Sequence, residues 1–496
     1  MASTAVNEAL LDERLAQVEQ ARAWSPRVIS RLETFIRTAD DYDLFRINPL
    51  HYSRDRGTAE TEGIDLFLYT TRYGLFEMQW SLVCPICTTV VDSFRDLSHV
   101  HPHFVCIVCE GQSLATLDDH ILVTFTVSAE IRPIAFHRPE TLSIDDYLFR
   151  YRFMKGFLLL PNGMTYEEIF RRHIKHLSWL APGASANAEF EATPGALYLR
   201  HLGNGTGATF YVNDATTPQA QQLAFEIVDG NMRPVGPSLP PADVQTPVGL
   251  FKFQQHGELT GGTVTIHLDN RLDKACPLCI FLVPLPPPEW EFEPFLSGKR
   301  LLTTQTFREL FRSQTVASNE ALAVNNLTFL FTDLHGSTAL YDLIGDTQAF
   351  HLVQQHFDAL ARPVTRHAGA IVKTIGDSIM ATFETPVQAV QAAVDMVLEL
   401  QELNHRISEK LSLKIGIHSG HSIAVTLNDR LDYFGQTVNI ASRVQGLAGG
   451  GEIYLSQDVY EYPGVADILA RYETVPEQTV VKGVSGTLQV YKVVPT

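Results

Sequence analysis

Long apolar runs are missing from this 496-residue sequence. Its longest apolar stretches, such as residues 279–284, fall well short of the roughly 20 residues that a membrane-spanning helix needs. Residues 1–20 also lack the basic start and apolar centre of a secretory signal, because Asp12, Glu13 and Glu19 interrupt them. We therefore expect no membrane span and a cytoplasmic location.

Basic charge is also scarce, since 38 Lys and Arg residues face 56 Asp and Glu residues, for a net charge of −18. A protein that holds a polyanion by counterion release needs a basic face. This balance disfavours a nucleic acid as the main partner. It permits a mononucleotide, whose phosphates can be neutralised by metal ions and a few local donors.

Cysteine is rare, and its six copies all fall into Cys-x-x-Cys pairs. Eighteen residues separate Cys84 and Cys87 from Cys106 and Cys109. In a chain that is not secreted, this spacing is typical of a tetrahedral zinc site with two knuckles. Because four thiolates close the coordination sphere, we predict a structural Zn²⁺. The alternative is four buried cysteines without metal.

Other residues of the metal-binding types have simpler interpretations. His99, His101 and His103 could compete as zinc ligands, but we favour surface imidazoles. Cys276 and Cys279 have no second pair left in the sequence to complete a four-ligand site. They could form a dithiol switch, yet their place beside an apolar run favours two small buried residues.

The length of the chain predicts a multidomain protein, since one core rarely organises so many residues. Early helical spacing followed by a strand resembles a winged helix. Short alternating runs separated by Gly, Pro and Asn then indicate a β-sandwich or barrel. The predicted units are a helical, winged-helix-like segment at 1–83, a zinc ribbon at 84–114, a mostly β, sandwich-like regulatory domain at 115–290, a helical linker at 291–325 and an α+β domain at 326–496.

Local signals place individual elements in the first 325 residues. Ser25-Pro26 predicts the start of the second of two N-terminal helices, with Ser as the cap and Pro at the first helical position. Residues 121–127 form an alternating run that we assign to the central β region. A helical patch covers residues 166–177, and amphipathic spacing at 295–316 predicts the helical linker.

The last 170 or so residues alternate strand and helix patterns. An apolar run at 327–332 ends in Asp333, and a helix is predicted around 349–364. Residues 369–383 indicate a hairpin, Thr385-Pro386 starts another helix, and residues 411–417 alternate as a strand. This β-α-β-β-α-β order is typical of the ferredoxin-like arrangement.

Two carboxylates, Asp333 and Asp377, stand where predicted strands end, and the topology brings them to one edge. Adjacent carboxylates repel unless a cation lies between them, and Mg²⁺ favours one or two carboxylates plus phosphate oxygens. We therefore predict a two-metal site that holds Mg²⁺ or Mn²⁺. Gly336 permits close approach, and the amides from Leu334 to Ser337 could hold a triphosphate. The alternative is that each aspartate only caps a turn or helix.

Three segments, at 331–338, 373–377 and 432–443, resemble the class III nucleotidyl cyclase family, and the resemblance covers about residues 325–496. They read FTDLHGST, KTIGD and DYFGQTVNIASR. The family also implies functions for six residues: metal binding for Asp333 and Asp377, adenine recognition for Lys373 and Asp432, ribose orientation for Asn439, and transition-state stabilisation for Arg443.

The resemblance implies an adenylate cyclase that converts ATP to 3′,5′-cyclic AMP and pyrophosphate. A lysine donor and an aspartate acceptor match the adenine edge, whereas guanylate cyclases resemble this family with a glutamate and a cysteine at those positions. Asn439 and Arg443 are four residues apart, so they share one helix face. Lys482 resembles a lysine that can reach the triphosphate, the alternative being a solvated lysine.

The family resemblance also implies a head-to-tail homodimer with two shared sites. One protomer supplies the metal aspartates, and its partner supplies Lys373, Asp432, Asn439 and Arg443. Residues ahead of the cyclase-like unit resemble an uncharacterised region found before bacterial cyclase domains, which suggests regulation by an unknown ligand or partner. Two rival hypotheses are a nucleotide-binding domain that signals only by dimerising and a transcription-associated protein.

Overall fold

The computed structural model describes residues 5–155, 164–236, 256–284, 293–318, 320–480 and 486–495. The N-terminal unit begins with helices and continues with short strands. Its elements are α1 (Glu8–Ala21), α2 (Val28–Thr38), α3 (Pro49–Arg56), α4 (Glu60–Arg72), β1 (Phe76–Val83), β2 (Val90–Phe94), β3 (His103–Val105), β4 (Gln112–Leu114) and β5 (Ile121–Val127).

The predicted start of the second helix is wrong by two residues. Helix α2 begins at Val28, and the residue before it, Arg27, is in the left-handed conformation with φ 68°. Ser25 and Pro26 therefore lie ahead of the helix, where Ser25 accepts a hydrogen bond from the Val28 amide through its carbonyl. The Ser-Pro pair marks the helix start but does not cap it.

Strand β5 belongs to the N-terminal sheet, although its sequence pattern placed it with the central β region. It pairs with β1 in antiparallel register from Phe76 opposite Val127 to Leu82 opposite Ile121, and β2 covers the other edge of β1. Every residue of β5 is buried. Periodicity predicts a strand but not its partner, because pairing is decided by packing over a long sequence separation.

The central region is mostly β, as predicted, and its core is an apolar cluster between sheet residues. Its elements are α5 (Tyr166–His173), β6 (Ile174–Leu180), β7 (Ser185–Ala192), β8 (Gly195–His201), β9 (Gly207–Thr216), β10 (Gln221–Val228), β11 (Asn231–Pro234), β12 (His256–Asn270) and β13 (Cys276–Val283). The predicted helical patch ends at His173, and its last residues join β6.

One buried cation joins the central sheet to the cysteine-containing segment. The guanidinium of Arg200 on β8 is fully buried and forms a 3.0 Å ion pair with Glu110. Its Nε donates to the Val108 carbonyl at 3.0 Å, and other donors reach the carbonyl of Ala208 and the hydroxyl of Thr209. A buried charge with this many partners fixes the segment against β8, since removing one partner would leave the other charge unpaired.

The C-terminal unit follows two short linker helices, α6 (Gly298–Leu302) and α7 (Gln305–Leu310). Its strands and helices alternate in the predicted order at the start. Its elements are β14 (Leu322–Leu334), α8 (Ser337–Ile344), α9 (Asp346–Arg366), β15 (Ala370–Ile375), β16 (Ser378–Phe383), α10 (Pro386–Asn404), β17 (Leu413–Leu427), β18 (Arg430–Phe434), α11 (Gln436–Gln445), β19 (Glu452–Ser456), α12 (Gln457–Tyr460), α13 (Val465–Leu469), β20 (Glu473–Val480) and β21 (Thr487–Val494).

One sheet organises this unit, in the order β15-β16-β14-β17-β19-β21-β20, with β18 paired to β17. Its two faces bury different layers. Leu330 and Ile415 pack in the same apolar cluster as helix α10, whereas Phe329 and Phe331 pack in the cluster that includes Ala441 of α11. The alternation of β14 thus separates a helical layer from a layer that also contacts the N-terminal unit.

The N-terminal unit and the linker are attached to the start of β14 through one carboxylate. Asp118 pairs with the ammonium of Lys299 on α6 at 2.8 Å and accepts the Asn325 amide hydrogen bond at 2.6 Å. Beside it, the Leu117 amide donates to the Ala323 carbonyl at 2.9 Å. We name this group of contacts the Asp118 junction. Since both ionic side chains are largely buried, the junction ties three parts of the chain together.

The linker helix α7 contacts the sheet of the C-terminal unit at two further points. Arg308 donates to the Leu431 carbonyl at 3.2 Å and lies over the ring of Tyr433. The side-chain oxygen of Gln305 accepts a hydrogen bond from the Ile371 amide at 2.8 Å. The linker therefore touches β15 and β18 directly. Within the described ranges, none of the helices combines the length and the apolar character needed to cross a bilayer.

We predict that Asp118→Ala loosens the first residues of β14. The change removes the acceptor of the Asn325 amide and leaves Lys299 without its buried partner, and hydrogen bonds to charged groups contribute about 1.5–3 kcal/mol. Amide hydrogen exchange in residues 322–327 should speed up by about 10- to 100-fold. Asp119→Ala, at the exposed neighbouring carboxylate, is the matched control. Equal exchange in the two variants would contradict the role of the junction.

Candidate functional site

The two predicted metal aspartates lie at one edge of the C-terminal sheet. Strand β14 pairs with β16 in antiparallel register, and the β15–β16 turn that carries Asp377 lies next to the end of β14 that carries Asp333. The hydroxyl of Ser378, the residue after Asp377, donates to Asp333 at 2.9 Å. The fold therefore brings the two acidic segments into contact.

A lysine that the sequence analysis did not name already neutralises one aspartate. The ammonium of Lys414 lies 2.5 Å from the second carboxylate oxygen of Asp333. The two residues are opposite each other in the register of β14 and β17. The alternation at 411–417 predicted this strand, but only its pairing with β14 places Lys414 at the site.

The second aspartate carries an unpaired buried oxygen. Oδ2 of Asp377 is buried and has no hydrogen-bond partner among the described residues, and the hydroxyl of Tyr341 is in the same state. Burial first, and then the nearby charges of Asp377 and Asp333, raise the pKa of Tyr341. A buried carboxylate oxygen without a partner is costly, and a divalent cation would satisfy it. The donor set therefore fits Mg²⁺ or Mn²⁺.

The predicted phosphate-binding segment forms the start of α8. Gly336 is the residue before the helix and has φ 74°, a conformation that favours glycine, with open space where a side chain would stand. Ser337 is the first helical residue. Leu334 is buried in the helical layer, so only its backbone is available to a ligand.

The two predicted base-recognition residues are in direct contact. The ammonium of Lys373 on β15 donates to a carboxylate oxygen of Asp432 on β18. The Asp432 side chain is largely buried, whereas Lys373 is partly exposed. The other Asp432 oxygen accepts the Tyr433 amide hydrogen bond at 2.8 Å. This arrangement offers a donor and an acceptor side by side at one accessible point.

Asn439 and Arg443 lie on the outer side of α11. Asn439 is exposed and Arg443 is half-buried, while Ile440 and Val444, the residues that follow each of them, face inward. Among the described residues, Arg443 has no ion-pair partner. Helix α11 approaches β17 closely at Gly416, where an added Cβ would lie 2.0 Å from the Gln445 nitrogen. Lys482, the last predicted site residue, falls outside the described residues.

A separate cluster joins the four cysteines of the two N-terminal pairs. Their sulfur atoms all lie within 4.8 Å of one another, at 3.6 Å for Cys84 and Cys109 and 3.4 Å for Cys87 and Cys106. Sulfurs around a tetrahedral zinc are about 3.8 Å apart, given Zn–S bonds of about 2.3 Å. Burial opposes ionisation, but hydrogen bonds from the other thiols lower the pKa of Cys106 well below its usual value, whereas burial and hydrogen bonds within the cluster raise the pKa values of Cys87 and Cys109. The spacing of the sulfur atoms fits a metal ion.

The remaining predicted metal-type residues stay outside this cluster. His99, His101 and His103 are exposed on the surface, and His101 lies 3.5 Å from Glu320. Cys276 and Cys279 are buried in β13. Burial raises the pKa of Cys276 to about 11 and that of Cys279 further, so both thiols stay protonated near neutral pH. Their environment favours small buried residues over a reactive dithiol.

Similar proteins of known sequence match part of this chain. An adenylate cyclase of Lachancea kluyveri is 31% identical over 154 residues, which are 27% of this chain and 8% of that protein. Adenylate cyclase 2 of Rhizobium meliloti (strain 1021) is 28% identical over 152 residues, covering 28% of this chain and 42% of that protein. The receptor-type guanylate cyclase gcy-13 of Caenorhabditis elegans is 28% identical over 206 residues, covering 39% of this chain and 20% of that protein. The chain thus spans less than half the length of these relatives.

Solved cyclase structures also resemble part of this chain. The guanylyl cyclase Cya2 has 24% identity and a TM-score of 0.32, over 35% of this chain and 93% of that one. The adenylyl cyclase CyaB from P. aeruginosa has 23% identity and a TM-score of 0.31, over 36% and 97%.

Two family assignments divide the chain. Residues 11–187 match a family of unknown function, DUF5939. This range contains the N-terminal helices, the cysteine cluster and the first strands of the central region. Residues 320–494 match the adenylate and guanylate cyclase catalytic domain, and this range contains both aspartates, the Lys373–Asp432 pair and helix α11. The C-terminal unit therefore belongs to the adenylate and guanylate cyclase catalytic domain family, behind an N-terminal DUF5939 region.

Proposed function

We propose that this chain is an adenylate cyclase that converts ATP to 3′,5′-cyclic AMP and pyrophosphate. The observation that carries the proposal is the placement of Asp333 beside the turn of Asp377, within a domain of the cyclase family. Asp333 already holds a cationic group, and Asp377 holds an unpaired buried oxygen. Both features fit a site for divalent cations and a triphosphate.

The reaction joins two atoms of one substrate molecule. The ribose 3′-oxygen forms a bond to the α-phosphorus, the bond from that phosphorus to the bridging oxygen breaks, and pyrophosphate leaves, while the hydroxyl proton passes to solvent. Two Mg²⁺ or Mn²⁺ ions at Asp333 and Asp377 would neutralise charge on the triphosphate and on the 3′-oxygen. Arg443 would donate a fixed fork of hydrogen bonds to the reacting phosphate, and Asn439 would orient the ribose.

The nucleotide base would be recognised by the Lys373–Asp432 pair. Adenine presents an acceptor at N1 and a donor at N6, which match the Lys373 ammonium and the Asp432 carboxylate. Since these two groups already contact each other, the base edge would enter a preformed donor and acceptor. A guanine edge would leave these polar groups unpaired, a mismatch that is worth about 10⁴-fold in discrimination. ATP is therefore the proposed substrate.

We expect purified protein with ATP and Mn²⁺ to produce cyclic AMP and pyrophosphate in equal amounts.

Arg443→Ala should lower kcat by about 10³-fold, because it removes charge stabilisation in the transition state. Lys373→Glu with Asp432→Cys should weaken turnover of ATP. Arg406→Ala, at an exposed arginine in the turn after α10, is the control. A chain that binds ATP without forming cyclic AMP would support the rival signalling hypothesis.

We also propose that the active form is a homodimer with two shared sites. A single chain carries both residue sets, yet no hydrogen bond joins the acidic set to Lys373, Asp432, Asn439 or Arg443 among the described residues. In a two-fold dimer, the acids of one protomer would face the base-binding and transition-state residues of its partner.

Mixing inactive variants tests this sharing. Asp333→Ala and Arg443→Ala chains should together recover about a quarter of the wild-type activity, because half of randomly mixed dimers are mixed and each has one intact site out of two. Asp333→Ala mixed with Asp377→Ala is the control and should recover none, since both changes affect the same residue set. Sites built from single chains would give no recovery in either mixture.

The four-cysteine cluster is a proposed structural zinc site. Protein purified without chelator should contain about one zinc per chain by metal analysis, and Cys84→Ser should lose it because three thiolates no longer close the site. Cys276→Ser, in the pair that lies apart from the cluster, should keep its zinc. Wild-type protein without zinc, or equal zinc in both variants, would contradict the assignment.

We further propose that the N-terminal region regulates the cyclase in response to an unknown ligand or partner, in the cytoplasm. Two sets of contacts support this proposal: the Asp118 junction joins the N-terminal region to β14, and Arg308 and Gln305 of the linker contact the strands of the C-terminal sheet. Ile371 lies two positions before Lys373, and Leu431 lies one position before Asp432. A shift of the linker would therefore act on the strands that carry Lys373 and Asp432.

A further inference from the structure

A buried histidine contacts the β15–β16 turn that carries Asp377. His356 on α9 is completely buried, and its Nε2 lies 3.3 Å from the backbone carbonyl oxygen of Asp377. Its other ring nitrogen, Nδ1, is buried and has no hydrogen-bond partner among the described residues. Because a carbonyl oxygen can only accept a hydrogen bond, Nε2 is the donor in this contact.

The turn that carries Asp377 depends on a small number of contacts. Gly376 has φ 64°, and both it and Ile375 are exposed to solvent. The strand side is held by Ser378, which donates to Asp333, and by the Ile379 amide, which donates to Thr332 at 3.1 Å. The contact from His356 fixes the turn on the helix side. Between these supports, the unpaired Oδ2 of Asp377 stays buried.

Packing alone would favour an apolar side chain at position 356. Helix α9 buries apolar residues such as Leu352, Leu360 and Val364 against the sheet, and an apolar residue at 356 would complete that surface. A histidine instead buries one nitrogen without a partner, which opposes folding. The polar contact that the histidine gains is the hydrogen bond to the Asp377 carbonyl.

We propose that His356 is a positioning residue that holds the backbone of Asp377, so that the carboxylate faces the divalent cation. This inference rests on the proposed cyclase function and adds a residue to it. The logic is that of groups behind metal ligands, which orient the ligand and whose loss commonly weakens metal binding by about 10- to 100-fold.

The test compares variants that differ in where they place a donor. Glutamine places its amide near the position of Nε2, asparagine places its amide near Nδ1, and leucine has no donor. His351→Leu, on an exposed position of the same helix, is the matched control. Mn²⁺ binding is titrated by electron paramagnetic resonance with 3′-deoxy-ATP, which cannot cyclise, and kcat and the KM for ATP are measured at saturating Mn²⁺.

We expect His356→Leu and His356→Asn to raise the Mn²⁺ concentration for half-occupancy by about 10-fold or more, and His356→Gln to stay within about 3-fold of wild type. The KM for ATP at saturating Mn²⁺ should change little. If His356→Leu folds poorly, the two amide variants decide, because they are similar in polarity and differ mainly in reach.

Three results would overturn the inference. Wild-type Mn²⁺ binding in the leucine and asparagine variants would make His356 a core residue only. An equal loss in the glutamine and asparagine variants would attribute the effect to packing and not to the hydrogen bond. Absence of Mn²⁺ binding in the wild-type protein with 3′-deoxy-ATP would instead remove the proposed function, and the inference with it.

Discussion

The repulsion between two carboxylates at one sheet edge is the constraint on which this site depends. Asp333 and Asp377 are brought together by the pairing of β14 with the β15–β16 hairpin, so their negative charges need a cation. Lys414 supplies one positive charge to Asp333, and Oδ2 of Asp377 stays unmatched. The site thus carries excess negative charge, which divalent cations would neutralise.

The layers on the two faces of the sheet connect the two carboxylates to the rest of the chain. The helical layer supports the acidic turn from one face, through α9. On the other face, the linker contacts the strands that carry the base-recognition residues, and α11 packs against β14. The N-terminal unit is fixed to β14 at the Asp118 junction, and the buried Arg200–Glu110 pair attaches the cysteine cluster to the central sheet. A change in the N-terminal region therefore has a continuous set of contacts through which to reach the site.

Local patterns predicted most elements, whereas contacts between distant segments were less accessible. Alternation and caps gave the β15–β16 hairpin, the start of α10 and the strand of β17. The motif segments gave Asp333, Asp377, Lys373 and Asp432, two pairs that the structure places together. Lys414 was missed because its role follows from strand register. The partner of β5 was misassigned for the same reason, since its buried pattern suits either sheet.

The most direct measurement is a crystal structure of the protein with Mn²⁺ and 3′-deoxy-ATP. We expect two ions between Asp333 and Asp377, with the Lys414 ammonium released from Asp333 and the adenine edge against the Lys373–Asp432 pair. Ions bound elsewhere, with Lys414 still paired to Asp333 and the nucleotide away from the sheet edge, would contradict it.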